Sequence, residues 1–243
     1  MTDSIVQKCK KLYMDAFHDD QEFTDLLFDR FFDSSCQYIY EDGEIISMLF
    51  AIDVTLDNLK GKYVYAVATN EKYRGKGYMS RLFQSVYDKY SNDFDFLCLK
   101  PMSESLFDYY SRLGFERSFK KSQVILNECF SAVKLQKICN VKQVRKVRKL
   151  ILKENYVDYC DGFFELLLSY CDMLTDDKEN PSVFVVKEKL SGKVKEAIGE
   201  FNLLSSDFAN IPLLTMGKQF DFAMVKFLKE NRFEDKYLGF ALD

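Results

Sequence analysis

The sequence has no apolar run of about 18 residues and no N-terminal segment that resembles a secretion signal. It also has no Cys-x-x-Cys pair, and its seven cysteines are odd in number. Disulfide frameworks and zinc sites depend on such patterns, whereas isolated cysteines are usual in a reducing compartment. We therefore expect a soluble, cytoplasmic protein with reduced thiols, no metal site and no membrane span.

An excess of positive charge is also missing. The 34 lysines and arginines are outnumbered by 38 aspartates and glutamates, which leaves a net charge of −4. No global basic field is therefore available to attract a nucleic acid or an anionic membrane. One predicted helix, which follows Asn140, is rich in cations: Lys142, Arg145, Lys146, Arg148, Lys149 and Lys153. Such a helix can contact phosphates, but long cations are also the ordinary solvated surface of a helix, so nucleic-acid binding is not expected.

The first two predicted helices are acidic. Apolar spacing predicts helices over residues 4–17 and around residues 23–31. Their outer faces carry Asp15, Asp19, Asp20, Glu22, Asp25 and Asp29. These carboxylates are either a solvated surface or a rim that attracts a cationic amine. His18, the single histidine, is expected to be an exposed residue at the end of the first helix rather than a base.

The remainder of the first half alternates strands and helices. Asp42-Gly43 lies between apolar runs at 36–40 and 44–54, which is a strong hairpin signal because both turn positions tolerate positive φ. Further strands are predicted at 63–69, 94–99 and 122–126, and helices at 79–90 and 103–113. This order predicts an α/β fold in which helices cover a mixed sheet.

A turn with two glycines and two cations, Arg74-Gly75-Lys76-Gly77, connects the strand at 63–69 to the next helix. Glycines let a backbone approach a ligand closely, and a helix N-terminus presents N–H groups and the positive end of the helix dipole. The two cations add complementary charge. The turn therefore predicts a site for a polyanion, and a pyrophosphate is the expected ligand.

This turn resembles the cofactor signature Arg/Gln-x-x-Gly-x-Gly/Ala of the GNAT family of acetyl-CoA-dependent N-acyltransferases. Met79 takes the place of the last small residue. Gly-x-Met at this position is similar to the branch typified by the enhanced-intracellular-survival (Eis) acetyltransferases, which join a GNAT unit to a second, degenerate one. The resemblance implies acetyl-CoA as the cosubstrate, bound by Arg74, Gly75, Lys76, Gly77, Tyr78, Met79 and Ser80.

A second motif strengthens the resemblance. Many GNAT members have Asn-x-x-Ala-x-x-Phe-Tyr-x-x-x-Gly-Phe, and here Ser103 stands at the Asn, Leu106 at the Ala and Tyr110 at the Tyr. The family assigns this phenol as the general acid that protonates the departing thiolate. A phenol with a pKa of about 10 stays protonated at neutral pH, as such a donor must. The resemblance implies this role for Tyr110 and a cofactor contact for Ser103; the alternative for Tyr109 or Tyr110 is a structural helix residue.

The resemblance also implies that the pantetheine arm lies beside the end of the strand at 63–69. The backbone of Val67, Ala68 and Thr69 would pair with that arm and stabilise the oxyanion of the tetrahedral intermediate. In many members a carboxylate on this strand acts as the general base, but residues 63–69 contain none. Glu71 follows in the loop and does not lie on the strand, so we leave the general base unassigned.

The second half repeats the order of the first with pieces missing. An alternating segment at 132–138 precedes a helix that begins at Asn140, with Gln143 placed as in a capping box. The further predicted elements are a helix at 162–174, strands at 183–188, 194–204 and 211–215, a helix at 220–228 and a strand at 237–242.

The second half therefore predicts a second GNAT-like unit. Where a phosphate loop should lie, Met216-Gly217-Lys218-Gln219 offers one glycine and too few residues. We expect an acetyl-CoA-binding GNAT domain at 1–130 and a degenerate GNAT-like domain at 131–243 that binds no cofactor and walls the substrate cleft. In Eis-type enzymes a C-terminal carboxylate from a third domain reaches the active site; whether Asp243 does so here is open.

The sequence thus predicts an N-acetyltransferase in which a primary amine, of a small molecule or a peptide, attacks acetyl-CoA directly and Tyr110 protonates the thiolate. The alternative is a non-catalytic acyl-CoA-binding or sensing module whose second half docks a partner. The missing strand carboxylate keeps that alternative open. The sequence specifies neither the acceptor amine, nor the acyl-chain preference, nor the oligomeric state.

Overall fold

The chain forms two compact units in the computed structural model, which describes residues 2–127, 133–230, 232–233 and 236–239. Unit 1 comprises the described residues of Met1–Glu116 and Met224–Arg232, and unit 2 those of Arg117–Ala223 and Phe233–Asp243. The predicted domain boundary between residues 130 and 131 falls outside the described residues and stays a prediction. Asp243 and the end of the predicted strand at 237–242 also lie outside them.

The chain contains both helices and strands, as predicted for an α/β fold. The helices are α1 (Thr2–Phe17), α2 (Gln21–Ser35), α3 (Tyr78–Tyr90), α4 (Glu104–Arg112), α5 (Val141–Leu152) and α6 (Asp161–Tyr170). The strands are β1 (Cys36–Glu41), β2 (Glu44–Leu56), β3 (Leu59–Thr69), β4 (Phe96–Leu99), β5 (Glu116–Ile125), β6 (Gln136–Ile138), β7 (Val157–Tyr159), β8 (Cys171–Thr175), β9 (Val183–Glu188), β10 (Val194–Gly199), β11 (Pro212–Met216) and β12 (Phe220–Phe227).

Unit 1 contains a mixed sheet. Strands β1, β2 and β3 run antiparallel in sequence order, β3 and β4 are parallel, and residues 224–227 of β12 pair antiparallel with β4. Asp42 and Gly43 both have positive φ, 49° and 82°, at the turn between β1 and β2. This geometry confirms the predicted hairpin, because only such φ values let so short a turn follow the twist of the strands.

Helices α3 and α4 pack on this sheet through a buried apolar cluster. Leu82, Phe83 and Val86 of α3 meet Phe107 of α4 and Val64 of β3 in that cluster. Burying a side chain of this size contributes about 1.5–3 kcal/mol. The packing therefore fixes the N-terminus of α3 relative to the end of β3, where the predicted phosphate loop lies.

Helices α1 and α2 contact the sheet through aromatic side chains. The ring of Phe28 packs edge-on against Tyr13 at 5.8 Å and against Phe50 of β2 at 5.2 Å. The Tyr13 hydroxyl also lies 2.9 Å from that of Tyr65 on β3. These contacts position α1 beside β3, because buried aromatic rings at this spacing add packing energy to the area that they bury.

Unit 2 is built from two groups of strands and two helices. Strands β10, β9, β8 and β6 form an antiparallel sheet in that order, and β5 pairs with β11 and with β12. Helix α5 begins at Asn140, whose side chain accepts the N–H of Gln143 at 2.9 Å. The capping signal predicted from the sequence is therefore confirmed.

The helix predicted at 220–228 is wrong, because this segment is strand β12. Met224 and Phe227 pair with Leu99 and Phe96 of β4. Phe222 through Val225 are all buried, so the run is apolar on both faces of the strand. A short run of this kind cannot be told from a buried helix by periodicity, and its pairing with a strand far away in the sequence decides its structure.

Other differences concern the ends of elements. The helix predicted at 162–174 ends at Tyr170, and Cys171 begins strand β8, where it pairs with Glu188 of β9. Strand β5 begins at Glu116 instead of residue 122, β10 ends at Gly199 instead of residue 204, and β7 was not predicted. The ends of these elements depend on the strand with which each one pairs, which local patterns do not report.

Candidate functional site

The C-terminal end of β3 carries a backbone irregularity. The register between β2 and β3 shifts between Met48 and Phe50, and Ala66 on the bulged strand has φ of +54°. A non-glycine residue in this region is strained, and β-bulges often lie beside functional sites, where they redirect the chain. The irregularity immediately precedes Val67, Ala68 and Thr69, the residues that the resemblance associates with the cosubstrate.

The same part of β3 has an open edge. Parallel pairing between β3 and β4 begins at Gly61↔Phe96 and ends at Tyr63↔Cys98. Beyond Tyr63, no pairing with β4 holds the backbone of β3 within the described residues. N–H and C=O groups on an unpaired strand edge can bind an extended ligand by adding it to the sheet.

The glycine turn leads directly into α3. Gly75 and Gly77 have φ of +75° and +80°, in the left-handed region that favours glycine. Gly77 is the N-cap residue of α3 and no side chain caps this helix in the described part of the chain. The first-turn N–H groups of α3 therefore remain available to an anion, at the positive end of the helix dipole.

The two cations of the turn, Arg74 and Lys76, contact a backbone carbonyl and an aromatic ring, and no described carboxylate neutralises them. Arg74 Nε donates to the carbonyl of Thr69 at 3.2 Å, and Lys76 Nζ lies 5.2 Å from the centre of the Tyr73 ring. The Tyr78 hydroxyl donates to Glu41 at 3.1 Å, and this hydrogen bond raises the pKa of the Tyr78 phenol. The turn thus keeps positive charge beside the free helix N-terminus.

A cavity of about 300 Å³ lies against this turn. Its lining residues are Thr69, Tyr73, Arg74, Gly75, Gly77, Tyr78, Met79, Ser80 and Tyr109. We call this space the loop cavity. It brings together most of the residues predicted to bind acetyl-CoA. The sequence analysis did not predict Tyr73 as a site residue, and it left Tyr109 open as a structural residue of the helix. No local sequence pattern indicates whether either side chain faces the cavity.

Tyr110 lies on α4 away from the lining of the loop cavity. Its ring is buried and packs edge-on against Phe83 at 5.8 Å and Tyr109 at 5.3 Å. Burial raises the pKa of its phenol, so the hydroxyl keeps its proton over the whole physiological range. Ser103 is the N-cap residue of α4 and is exposed, with its hydroxyl 2.9 Å from that of Ser105.

A second, larger cavity of about 560 Å³ lies between α1, the β1–β2 turn and the end of β3. We call it the acceptor cavity. Thr69 and Arg74 line both cavities, so the two meet at the C-terminal end of β3. Glu71, for which no role is assigned, lines the acceptor cavity.

Most acidic residues of α1 and α2 have partners elsewhere. Asp20 caps α2, Asp19 accepts a hydrogen bond from Tyr13, and Asp25 lies 2.6 Å from Lys10. Only Asp15 of the six predicted rim residues lines the acceptor cavity. The carboxylates therefore act mainly as a solvated and capping set. His18 is exposed and ends α1 with φ of +57°, as predicted for a helix-end residue.

Three cations of α5 form ion pairs within unit 2. Arg148 is fully buried against Glu196, Arg145 contacts Asp158 and Asp161, and Lys146 contacts Glu179. A cation whose charge is already neutralised by a carboxylate interacts less favourably with a phosphate. The described part of the chain contains neither a group of potential metal ligands nor a helix that could span a membrane.

Comparison with solved structures shows the fold. A GCN5-related N-acetyltransferase from Anabaena variabilis superposes with a TM-score of 0.68 at 12% identity, over 92% of this chain and 70% of that one. A putative acetyltransferase from Pyrococcus horikoshii gives 0.65 at 12% identity, over 98% and 91%. Eis1 from Mycobacterium abscessus gives 0.56 at 8% identity, over 80% and 64%. The chain therefore has the GNAT fold, with an N-terminal and a C-terminal unit in tandem.

The sequence comparison adds a match in the N-terminal part of the chain. Residues 1–118 match the family model of the acetyltransferase (GNAT) domain. None of the curated proteins with which the chain was compared matches it. This match covers just under half of the chain and includes β3, the glycine turn and α4. The predicted family and fold are thereby confirmed.

Proposed function

We propose that the chain is an N-acetyltransferase that transfers the acetyl group of acetyl-CoA to a primary amine. The observation that carries the proposal is the glycine turn, where Arg74 and the uncapped N-terminus of α3 face the loop cavity and Lys76 adds a second positive charge to the turn. Such a turn suits a pyrophosphate, because its donors are backbone groups that need not be ordered on binding. The residues that would contact it are Arg74, Gly75, Lys76, Gly77, Tyr78, Met79 and Ser80.

The open edge of β3 supports a position for the pantetheine arm in this proposal. Backbone groups of Val67, Ala68 and Thr69 pair with the pantetheine amides, as an added strand would. The amine nitrogen attacks the thioester carbonyl, a C–N bond forms, and an N–H at the strand end stabilises the oxyanion. The C–S bond then breaks. Alignment of the amine and thioester supplies most of the rate, because this transfer needs no covalent enzyme intermediate.

Tyr110 donates the proton that the departing thiolate takes up. Burial raises the pKa of its phenol, so the phenol is protonated at neutral pH, as a proton donor must be. Tyr109 is the matched comparison, because it is adjacent on α4 and its ring lines the loop cavity. The attacking amine releases its own proton to water or to a carboxylate of the acceptor cavity, of which Glu71 is the nearest to the turn in sequence.

The test is thiol release from acetyl-CoA by the purified chain with a panel of primary amines, for the wild type, Tyr110→Phe and Tyr109→Phe. Both substitutions keep the ring and remove one hydroxyl. We expect Tyr110→Phe to lower kcat about 100-fold, as loss of a general acid does, with unchanged acetyl-CoA affinity. Tyr109→Phe should change kcat less than about threefold. The reverse ranking would assign the acid to Tyr109.

A non-catalytic acyl-CoA-binding module remains the second candidate, because no residue of Leu59–Thr69 is a carboxylate. This function predicts acetyl-CoA binding by calorimetry without thiol release from any amine of the panel. It also predicts that Tyr110→Phe does not change the calorimetric affinity for acetyl-CoA and that neither protein releases thiol.

A further inference from the structure

The acceptor cavity has the size of a site for a small molecule. Its volume of about 560 Å³ falls within the range of about 300–1,000 Å³ that is usual for such sites. Because Thr69 and Arg74 also line the loop cavity, a ligand in the acceptor cavity reaches the end of β3, where the proposed function places the thioester. The side chains of this cavity therefore bear on the class of amine that is acetylated.

Charges of both signs line the acceptor cavity. Lys8, Lys11, Lys72 and Arg74 contribute cations. Asp15, Glu44 and Glu71 contribute carboxylates. A site for a polyamine or another polycation would instead be lined by acidic groups, since like charges at close range oppose binding. The mixture indicates a ligand that itself carries both charges.

Several of these groups are already occupied. Lys8 Nζ donates to the carbonyl of Gly43 at 2.7 Å, and Lys72 Nζ lies 4.0 Å from Glu44. Arg74 donates to the carbonyl of Thr69. These contacts leave fewer charged side chains to interact with a ligand.

Lys11, Asp15 and Glu71 have no such contact among the described residues. Lys11 and Asp15 are four residues apart on α1, so they lie one above the other on the same face of the helix. Both are exposed, both line the acceptor cavity, and neither forms an ion pair or a hydrogen bond with another described side chain. A cation and an anion at this spacing can each bind the opposite charge of one ligand.

We propose that the acceptor is an amine that also carries a carboxylate, as in a free amino acid or the carboxyl terminus of a peptide. Lys11 binds the carboxylate, and Asp15 binds an ammonium group of the acceptor. The inference rests on the proposed function and adds the substrate class. It replaces the cationic acceptor suggested by the acidic helices, because five of those six carboxylates do not line the cavity.

The test compares three amines of similar length: L-lysine, L-lysine amide and 1,5-diaminopentane. Lysine amide keeps the shape of lysine but not its negative charge, and the diamine removes the group entirely. We expect kcat/KM for L-lysine to exceed that for the amide about tenfold, the value of one charge-assisted hydrogen bond. The dipeptide Gly-Lys separates the two sources: comparable use of it indicates a peptide terminus, and its rejection indicates a free amino acid.

The variant Lys11→Met assigns the preference to α1. It keeps the length of the side chain and removes the charge, so the ratio of kcat/KM for L-lysine to that for the amide should fall towards one. Lys142→Met is the matched control, because Lys142 is an exposed lysine on α5 outside the cavity; its ratio should equal that of the wild type. A wild-type ratio that survives in Lys11→Met would overturn the assignment.

Failure of the substrate class and failure of the proposed function give different results. Acetylation of the diamine or the amide at least as fast as L-lysine overturns the class and leaves the acetyltransferase standing. Calorimetric binding of the same three amines to the CoA-saturated protein supplies a readout that needs no turnover. If no amine is acetylated, tighter binding of L-lysine than of the amide still supports the class, and equal or absent binding overturns it.

Discussion

Two glycine turns, one in each unit, differ in the element that each one leads into and in their surroundings. Gly77 of unit 1 precedes helix α3, whereas Gly217 of unit 2 precedes strand β12. A Cβ atom added at Gly77 would meet nothing within 4 Å, while one added at Gly217 would overlap the side-chain oxygen of Ser122. The Cβ position of the first glycine is open, whereas that of the second is filled by Ser122 of strand β5.

The two units also differ in whether side chains accept hydrogen bonds from the backbone N–H groups of their loops. In unit 2, the loop after β8 satisfies its own donors: Asp176 accepts from Ser182 and Val183, and Asp177 accepts from Glu179 and Asn180. In unit 1, no side chain caps α3 among the described residues. A backbone donor that the protein leaves unsatisfied at a surface turn is one that a ligand can use.

This contrast gives physical content to the idea of a degenerate second unit. Gly217 has no following helix, so neither a helix dipole nor a set of first-turn N–H groups exists at that place. The expectation that the second unit binds no cofactor stays a prediction, and substitutions at the two glycines test it.

The largest expected effect is on the stability of Gly217→Ala. The new methyl group would collide with the side chain of Ser122, and overpacking of this kind costs up to about 3 kcal/mol. The free energy of unfolding in urea should fall by that amount, while the acetyl-CoA affinity of the folded protein, measured by calorimetry, stays unchanged. Loss of affinity in a folded Gly217→Ala protein would contradict the division of roles.

The reverse pattern is expected for Gly77→Ala. The positive φ makes the change cost only about 1 kcal/mol of stability, because no atom obstructs the methyl group. The methyl group would occupy the surface that a pyrophosphate must approach, so acetyl-CoA affinity should fall about tenfold, equivalent to about 1.4 kcal/mol. Gly43→Ala is a matched control in the same unit: its φ is +82° and its surroundings are open, but it lies in the β1–β2 hairpin. Equal losses of acetyl-CoA affinity in Gly77→Ala and Gly43→Ala would contradict a specific role of the turn at Gly77 in binding the pyrophosphate.

Local signals were sufficient for the parts of the site that are continuous in sequence. The hairpin at Asp42-Gly43, the glycine turn and the start of α3 follow from turn chemistry and apolar spacing. Strand β12 could not be predicted, because its identity depends on β4, more than a hundred residues earlier. The acceptor cavity is also non-local: Lys11 gives no signal until the fold brings α1 beside the end of β3. Tyr109 and Tyr110 are adjacent in sequence, and only packing determines which ring lines the loop cavity.

The smallest expected effect concerns the self-satisfied loop of unit 2 and its dependence on pH. Burial raises the pKa of Asp176, but the N–H groups of Val183 and Ser182 outweigh it, so the pKa lies below its ordinary value. A lowered folded-state pKa contributes stability that is present above the unfolded pKa of about 4 and is lost as the pH falls through the folded value.

Asp176→Asn keeps an acceptor and removes the charge, so it should cost about 0.5 kcal/mol at pH 7, the low end for a capping carboxylate. The difference in unfolding free energy from the wild type should stay constant above about pH 5 and shrink below about pH 4. Urea titrations of both proteins at pH 7, 5, 4 and 3 measure it. A difference that does not depend on pH would mean that the loop is held by its shape and not by the carboxylate charge, and the contrast with the uncapped turn of unit 1 would then rest on the glycines alone.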